Sequence, residues 1–233
     1  VQYSYLKGAL SVLSDTEVGE EQSRLLFKAV YDHWTELPKD KRPKLYVHGL
    51  SQGAQISQST IPFFDLLADP IQGALWTGSP FFSPVWRQVR NGRRPESPAW
   101  LPKYGNGSLI RSTNQRINAD QFDAPWGPIR IVFLNYGSDP IVAFSYATAY
   151  RQPDWMNEPR AFDVPPELRW TPIVKMLQVA LDTAFSQSIP GYGHYYIAGD
   201  YIDGWAKVLD PPAWDAARSA ELKELFKHRA PAF

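Results

Sequence analysis

One stretch of the sequence decides the fold: Lys44-Leu45-Tyr46-Val47-His48-Gly49-Leu50-Ser51-Gln52-Gly53-Ala54. It predicts a short strand at 44–48, a tight turn of the form G-x-S-x-G at 49–53 and a helix at 54–67. A serine on such a strand–turn–helix sits on a strained turn that lifts its hydroxyl above the sheet edge. Ser51 is therefore a candidate nucleophile, and the backbone N–H of Gln52 is a candidate oxyanion donor. An ordinary glycine-rich turn is the alternative, so the rest of the chain must decide.

Strand and helix patterns alternate outward from this stretch. Strands are predicted at 1–6, 73–76, 109–111 and 129–134, and helices at 17–36, 85–90, 172–186, 195–209 and 212–227. The helical pattern at 195–209 is interrupted by Gly199 and Gly204. Because alternating strands and helices are typical of parallel βαβ units, the predicted fold class is α/β, a mostly parallel sheet flanked by helices.

The chain contains no clean linker, so its 233 residues are interpreted as one domain, 1–233. Two Pro- and Trp-rich segments, near 79–107 and 151–171, are predicted to be insertions placed like lids. Since the chain begins at Val1 rather than at Met, we expect it to be part of a longer product.

Composition excludes several classes of function. Lys plus Arg and Asp plus Glu each number 24, whereas a general nucleic-acid binder would show a basic excess. The absence of cysteine excludes disulfides, thiolate zinc sites and a cysteine nucleophile. No apolar run approaches the roughly 18 residues that span a bilayer. With no metal-ligand cluster and no phosphate-binding loop, the sequence predicts no cofactor, no metal and no nucleic-acid partner.

A serine nucleophile needs a base, and the chain has four histidines. His194 lies in a loop between two helical patterns, where a catalytic histidine is expected. His228 belongs to a Lys-rich terminal helix and is interpreted as solvated. His48 is interpreted as a packed or hydrogen-bonded strand residue, and His33 is a helix residue with no partner signal.

The acid is expected at the end of a strand between Ser51 and His194. Asp139 follows the strong strand at 129–134 and is the best candidate, although an Asp-Pro turn residue is the alternative. Asp123 and Asp163 follow no strong strand, and Asp182 lies within a predicted helix. The sequence therefore predicts that Asp139 orients the imidazole of His194.

Three motifs in this order, GLSQG at 49–53, NYGSDPI at 135–141 and GYGHYY at 191–196, resemble those of α/β-hydrolases. More narrowly, nearly the whole chain resembles an actinobacterial family in which an α/β-hydrolase domain follows a membrane-embedded N-terminal domain. The resemblance implies Ser51, Asp139 and His194 as a catalytic triad. Many relatives have Glu and Leu where this chain has Leu50 and Gln52, a change that preserves the backbone role of Gln52.

The resemblance also implies that further strands, and a loop with a second oxyanion donor, lie upstream of Val1. We therefore expect an upstream segment or a companion chain to complete the sheet. It further implies a membrane tether in the full-length product, with the catalytic domain soluble and on the cell-envelope side.

The predicted activity is that of a serine esterase or lipase that forms an acyl-enzyme, with a lipid or acylated cell-envelope ester favoured. An acyltransferase with the same triad and a non-catalytic binding or scaffold protein are the alternatives. Trp86, Trp155 and Tyr192 are candidate substrate-binding residues, although core or lid packing would also explain aromatic residues in the insertions. The basic stretch 86–94 is either a solvated helix end or a dock for an anionic headgroup or acidic substrate.

Overall fold

A computed structural model describes residues 17–61, 68–117, 119, 122 and 124–227. Its helices are α1 (Glu17–Glu36), α2 (Gln52–Thr60), α3 (Pro84–Asn91), α4 (Pro140–Ala143), α5 (Val174–Phe185), α6 (Ala198–Leu209) and α7 (Ala216–Lys227). Its strands are β1 (Tyr46–Leu50), β2 (Gly73–Thr77), β3 (Ile110–Thr113) and β4 (Arg130–Leu134). Two short 3-10 turns cover Tyr146–Ala149 and Asp154–Met156.

The four strands form one parallel sheet in the order β1-β2-β4-β3. In its register Leu50 pairs with Thr77, and Leu134 pairs with both Thr77 and Thr113. The carboxyl ends of all four strands therefore finish at the same level. Because ligands of open α/β sheets bind beyond this edge, the residues that follow the strands, Ser51 among them, lie where a site is expected.

Helices cover both faces of the sheet, and side chains of the central strands alternate between two cores. Trp76 of β2 and Phe133 of β4 belong to one buried cluster, to which α2 and α3 also contribute. Leu75 and Val132 belong to a second cluster, closed by α6. Burial of both faces explains why these strands are continuously apolar in sequence. The predicted α/β class, a parallel sheet flanked by helices, is confirmed.

Most predicted elements within the described residues are confirmed with small shifts. The helix at 17–36 and the strands at 73–76, 109–111 and 129–134 are present, each within two residues of the predicted bounds. The first strand runs two residues later than predicted, and α2 begins at Gln52 rather than at Ala54. The predicted strand at 1–6 and the end of the predicted helix at 54–67 lie outside the described residues.

The predicted interruption of the helix at 195–209 is wrong, because α6 is continuous from Ala198 to Leu209. A Cβ on Gly204 would lie 3.0 Å from Leu75 Cδ1. Gly204 therefore allows α6 to lie close against β2, and this packing outweighs the poor helix propensity of glycine.

The two segments predicted as insertions are largely irregular. Residues 79–107 contain α3 and an isolated antiparallel bridge between Arg93 and Tyr104, and residues 151–171 contain the 3-10 turn at Asp154–Met156. Among the helices of the described residues, none has the length and apolar character needed to cross a bilayer.

Candidate active site

Ser51 occupies the strained turn between β1 and α2. Its φ is 55° and its ψ is −121°, a conformation that non-glycine residues seldom adopt. Its backbone N–H donates to Thr77 O at 2.9 Å, and its carbonyl accepts from the N–H of Gln55 at 3.1 Å. These bonds tie the turn to β2 on one side and to the first turn of α2 on the other.

The two glycines of the turn have different roles. A Cβ on Gly49 would lie 2.4 Å from the backbone of Gly53, so β1 and α2 approach too closely there for any side chain. A Cβ on Gly53 would meet no atom within 4 Å. Close approach therefore requires glycine at position 49 only.

His194 is held in a buried position by its backbone and its ring. The side chain of His194 is 2% exposed. The backbone N–H of His194 donates to Ser186 O at 2.6 Å. Its Nδ1 lies 2.7 Å from Asp139 Oδ2. Its Nε2 is buried and has no hydrogen-bond partner within the described part of the chain. A carboxylate thus fixes Nδ1 of the ring, and Nε2 remains available for a hydrogen bond.

Asp139 is fully buried and caps the short helix α4. Its Oδ1 accepts from the backbone N–H groups of Ile141 at 2.9 Å and of Val142 at 3.4 Å. Its Oδ2 accepts from Tyr196 Oη at 2.7 Å in addition to its contact with His194. These donors and the helix N-terminus stabilise the charge of the fully buried carboxylate.

Tyr196 is a part of the site that sequence reasoning missed, although it belongs to the GYGHYY stretch. Its ring stacks on Tyr136 with the centroids 4.1 Å apart, and its hydroxyl accepts from the N–H of Tyr136 at 3.2 Å. The hydroxyl of Tyr136 in turn donates to Asp200. Burial, reinforced by the charge of Asp139, raises the pKa of Tyr196 well above its ordinary value. Its hydroxyl therefore stays protonated and remains a donor to Asp139.

Asp163 joins the loop of the acid to the loop of the histidine. Its Oδ2 accepts from Ser138 Oγ at 2.8 Å and from Gln115 Nε2 at 3.0 Å. Ser138 Oγ accepts from the N–H of Gly193 at 3.0 Å, and Gln115 Nε2 also donates to Gly191 O at 3.0 Å. Asp163 thus contacts Ser138 directly and is linked through Ser138 and Gln115 to the glycines near His194, whereas of the two carboxylates only Asp139 contacts the imidazole.

Ser51 and His194 both lie against the segment Thr77–Gly78. The backbone of Ser51 is bonded to Thr77, and a Cβ on Gly78 would lie 2.6 Å from His194 Cε1. The structure therefore brings His194 and Asp139 into direct contact and ties Ser51 to the same sheet edge. Ser51 Oγ makes no hydrogen bond with His194 Nε2 here, a bond that in unliganded sites often tightens only when substrate is present.

The other predicted site residues lie at three different places. Gln52 is the first residue of α2, where backbone N–H groups have no partner within the helix. Trp86 is buried against Phe133, with ring centroids 5.2 Å apart, and Trp155 is partly buried. Both line one cavity, and the lining of that cavity includes none of the triad candidates. Tyr192 is 45% exposed, two residues before His194.

The other two histidines among the described residues, His33 and His48, lie outside the site. His48 Nδ1 lies 2.8 Å from Leu75 O, and its ring packs on Tyr201 and Trp205, which confirms its interpretation as a hydrogen-bonded strand residue. His33 is in the last turn of α1, and His228 lies outside the described residues. Within the described ranges, no group of three or more His, Asp or Glu side chains is placed to hold a metal ion.

Comparison with known proteins yields one match. A family model described as "Alpha/beta-hydrolase family" matches residues 1–222. No curated protein and no solved structure matches the chain significantly.

Proposed function

The chain belongs to the alpha/beta-hydrolase family, and on that premise we propose that it is a serine hydrolase that cleaves a carboxylic ester through an acyl-enzyme on Ser51. The observation that supports this best is the buried His194–Asp139 pair, with Nδ1 bound to the carboxylate and Nε2 free of partners in the described residues. This is the arrangement that a general base requires, because the carboxylate selects the tautomer whose other nitrogen accepts a proton.

In the proposed reaction His194 Nε2 takes the proton of Ser51 Oγ as that oxygen attacks the ester carbonyl carbon. Asp139 stabilises the imidazolium that forms and does not itself take the proton. The tetrahedral intermediate then collapses, the ester C–O bond breaks, and His194 gives its proton to the leaving alkoxide. Water, deprotonated by the same nitrogen, attacks the acyl-enzyme and releases the carboxylic acid.

The oxyanion of the intermediate is assigned to the backbone N–H of Gln52, at the positive end of the α2 dipole. A second donor is expected from outside the described residues, together with strands beside β1. Two observations support additional strands beside β1. Within the described ranges β1 pairs with another strand on one side only, and its residues His48 and Leu50 are exposed. We propose that an upstream segment or a companion chain supplies both the strands and the donor.

Labelling with a fluorophosphonate probe tests the proposed nucleophile. The probe should modify one serine, identified as Ser51 by peptide mass spectrometry, and Ser51→Ala should abolish the labelling. Ser188→Ala is the matched control, since Ser188 is exposed and its hydroxyl donates only to Phe185 O among the described residues. Labelling that persists in Ser51→Ala, or a complete, folded protein that is never labelled, would exclude the serine hydrolase.

A lipid ester is the proposed substrate, because an exposed apolar surface leads to the histidine loop. It consists of Val174, Leu177, Leu181 and Phe185 of α5, followed by Ile189 and Tyr192. Helices of globular proteins usually direct such residues to the core, so an outward apolar face indicates contact with another apolar phase. The surface adjoins His194, where an ester drawn from a lipid aggregate would have to arrive.

Comparison of soluble and aggregated substrates tests this assignment. Phe185→Gln and Leu181→Gln should lower the rate on a micellar long-chain ester and leave the rate on a soluble short-chain ester unchanged. Leu225→Gln on α7, at a side chain exposed to a similar degree, is the control and should change neither rate. Equal losses on both substrates would argue for a structural role of α5 and against the lipid substrate.

A further inference from the structure

The two Pro- and Trp-rich segments meet and enclose a cavity. Arg93 Nη2 lies 3.1 Å from Asp154 Oδ2, and Trp100 Nε1 donates to Pro159 O at 2.9 Å, so each contact joins one segment to the other. The cavity between them has a volume of about 220 Å³. Trp86, Arg90 and Trp100 line it from the first segment, and Arg151, Asp154 and Trp155 line it from the second.

This cavity is separate from the proposed triad. Its lining includes Gly137 and Val142, on either side of Asp139 in sequence, but not Ser51, Asp139 or His194. A ligand here would therefore not contact the nucleophile or the base. The cavity needs an explanation other than ester cleavage.

The charge of the lining is positive. Arg90, Arg93 and Arg151 contribute three cations, and Asp154 is the one acid among the lining residues. Asp154 is already paired with Arg93 and lies 3.6 Å from Arg151. Two positive charges therefore remain in excess, which favours an anionic ligand.

Arg90 is the arginine of the lining that takes part in neither of these ion pairs. It is partly buried on α3, and its guanidinium makes no direct hydrogen bond or ion pair among the described residues, although the charge of Asp154 acts on it. Burial lowers the pKa of Arg90, yet arginine stays charged in proteins. Asp154 stabilises this partly desolvated cation only in part, because it already pairs with Arg93, so a bound anion would stabilise Arg90 further.

The neutral polar groups of the lining also favour a ligand that accepts hydrogen bonds. The indole Nε1 atoms of Trp86 and Trp155 are buried and have no hydrogen-bond partner among the described residues. An indole N–H can only donate. Unsatisfied donors together with three tryptophan walls suit a ligand that has an anionic acceptor at one end and an apolar body at the other.

We infer that this cavity is a binding site for a small organic carboxylate, whose charged group pairs with Arg90 and whose aromatic or apolar body packs between the tryptophans. The planar guanidinium matches a carboxylate with two parallel hydrogen bonds. The volume lies below the roughly 300–1,000 Å³ of drug-sized pockets and therefore suits a small ligand. The basic stretch at 86–94 is thus part of a ligand site and not only a solvated helix end.

Titration of the 233-residue chain with benzoate, followed by tryptophan fluorescence and calorimetry, tests the site. Benzoate should bind saturably, and benzyl alcohol, its neutral counterpart, should bind at least about tenfold more weakly. Arg90→Gln should weaken benzoate binding by about tenfold or more, as expected for a charged hydrogen bond. Arg87→Gln is the matched control, because Arg87 lies on the same helix but is exposed and outside the cavity lining.

Arg151→Gln provides a second variant at an exposed side chain, and it should also weaken benzoate binding, by a smaller factor than Arg90→Gln. Absence of saturable binding, or equal losses in the Arg90 and Arg87 variants, would overturn the site. Inorganic phosphate that binds as tightly as benzoate would overturn the assignment of an apolar body. Since every readout is binding, failure here and failure of the proposed hydrolase are separate results.

Discussion

Gly78 lies directly against the ring of His194. Its φ is +55°, and a Cβ at this position would come 2.6 Å from Cε1 and 3.1 Å from Nδ1 of the imidazole. Gly78 follows the last residue of β2, whose carbonyl accepts from the backbone of Ser51. One glycine therefore determines how closely the imidazole can approach the turn of the serine.

Gly78→Ala should lower kcat by about 100-fold or more, because the added methyl displaces the imidazole and small misplacements of reacting groups cost about this factor. Gly105→Ala is a matched control, since Gly105 also has a φ of +55° but a Cβ there would meet no atom within 4 Å. Both variants should lose about 1–2 kcal/mol of stability from backbone strain. Equal esterase activity in the two variants would contradict the role assigned to Gly78.

Tyr196→Phe should lower kcat by about tenfold with little change in KM. The substitution removes one of the donors to Asp139, and a hydrogen bond to a charged group contributes about 1.5–3 kcal/mol. Tyr195→Phe is the control, because the hydroxyl of Tyr195 makes no hydrogen bond among the described residues. Steady-state kinetics across pH separates positioning from general destabilisation. A loss that appears only in the melting temperature would exclude the assigned role.

The two glycines of the serine turn should respond in opposite ways to alanine. Gly49→Ala places a methyl group 2.4 Å from the backbone of Gly53 and should destabilise the protein by about 3 kcal/mol or more. Gly53→Ala adds a methyl group in open space on α2 and should stabilise the protein by about 0.5–1 kcal/mol. Urea unfolding measures both changes. Similar destabilisation by the two substitutions would contradict the role of Gly49.

Local patterns were sufficient to predict much of this molecule. The continuous apolar runs of β2 and β4 and the apolar stripe of α1 depend on neighbours in sequence, so these elements could be predicted. Asp139 and His194 could be proposed because each follows a recognisable local signal. Their contact, across 55 positions of sequence, is visible only in the fold.

What could not be predicted depends on the approach of distant segments. The poor helix propensity of Gly204 predicts a break in the helix, and only the proximity of Leu75 explains why glycine occupies this position of a continuous helix. Tyr196 carries no local sign that it donates to a carboxylate 57 positions earlier. That Trp86 and Trp155 line one cavity likewise depends on how two irregular segments pack, which no periodicity encodes.

Asp200 should make the stability of the protein depend on pH. It is buried, it accepts from the hydroxyl of Tyr136, and the pair formed by Lys223 and Asp203 lies nearby. Burial raises the pKa of Asp200; the charge of Asp203 acts in the same direction, and the Tyr136 hydrogen bond and Lys223 oppose it. Its folded state therefore binds a proton more tightly than its unfolded state does.

The sign of the effect follows from linkage. The contribution of Asp200 to stability is fully present below its ordinary pKa, about 3.9, and is lost as pH rises through its raised folded pKa. Asp200→Asn removes this titration and retains an acceptor for Tyr136. The variant should therefore gain stability relative to the natural protein as pH rises from 4 to 7, measured by urea unfolding at each pH. Parallel stability curves for the two proteins would show that Asp200 has an ordinary pKa, and a relative gain towards low pH would reverse the assigned direction.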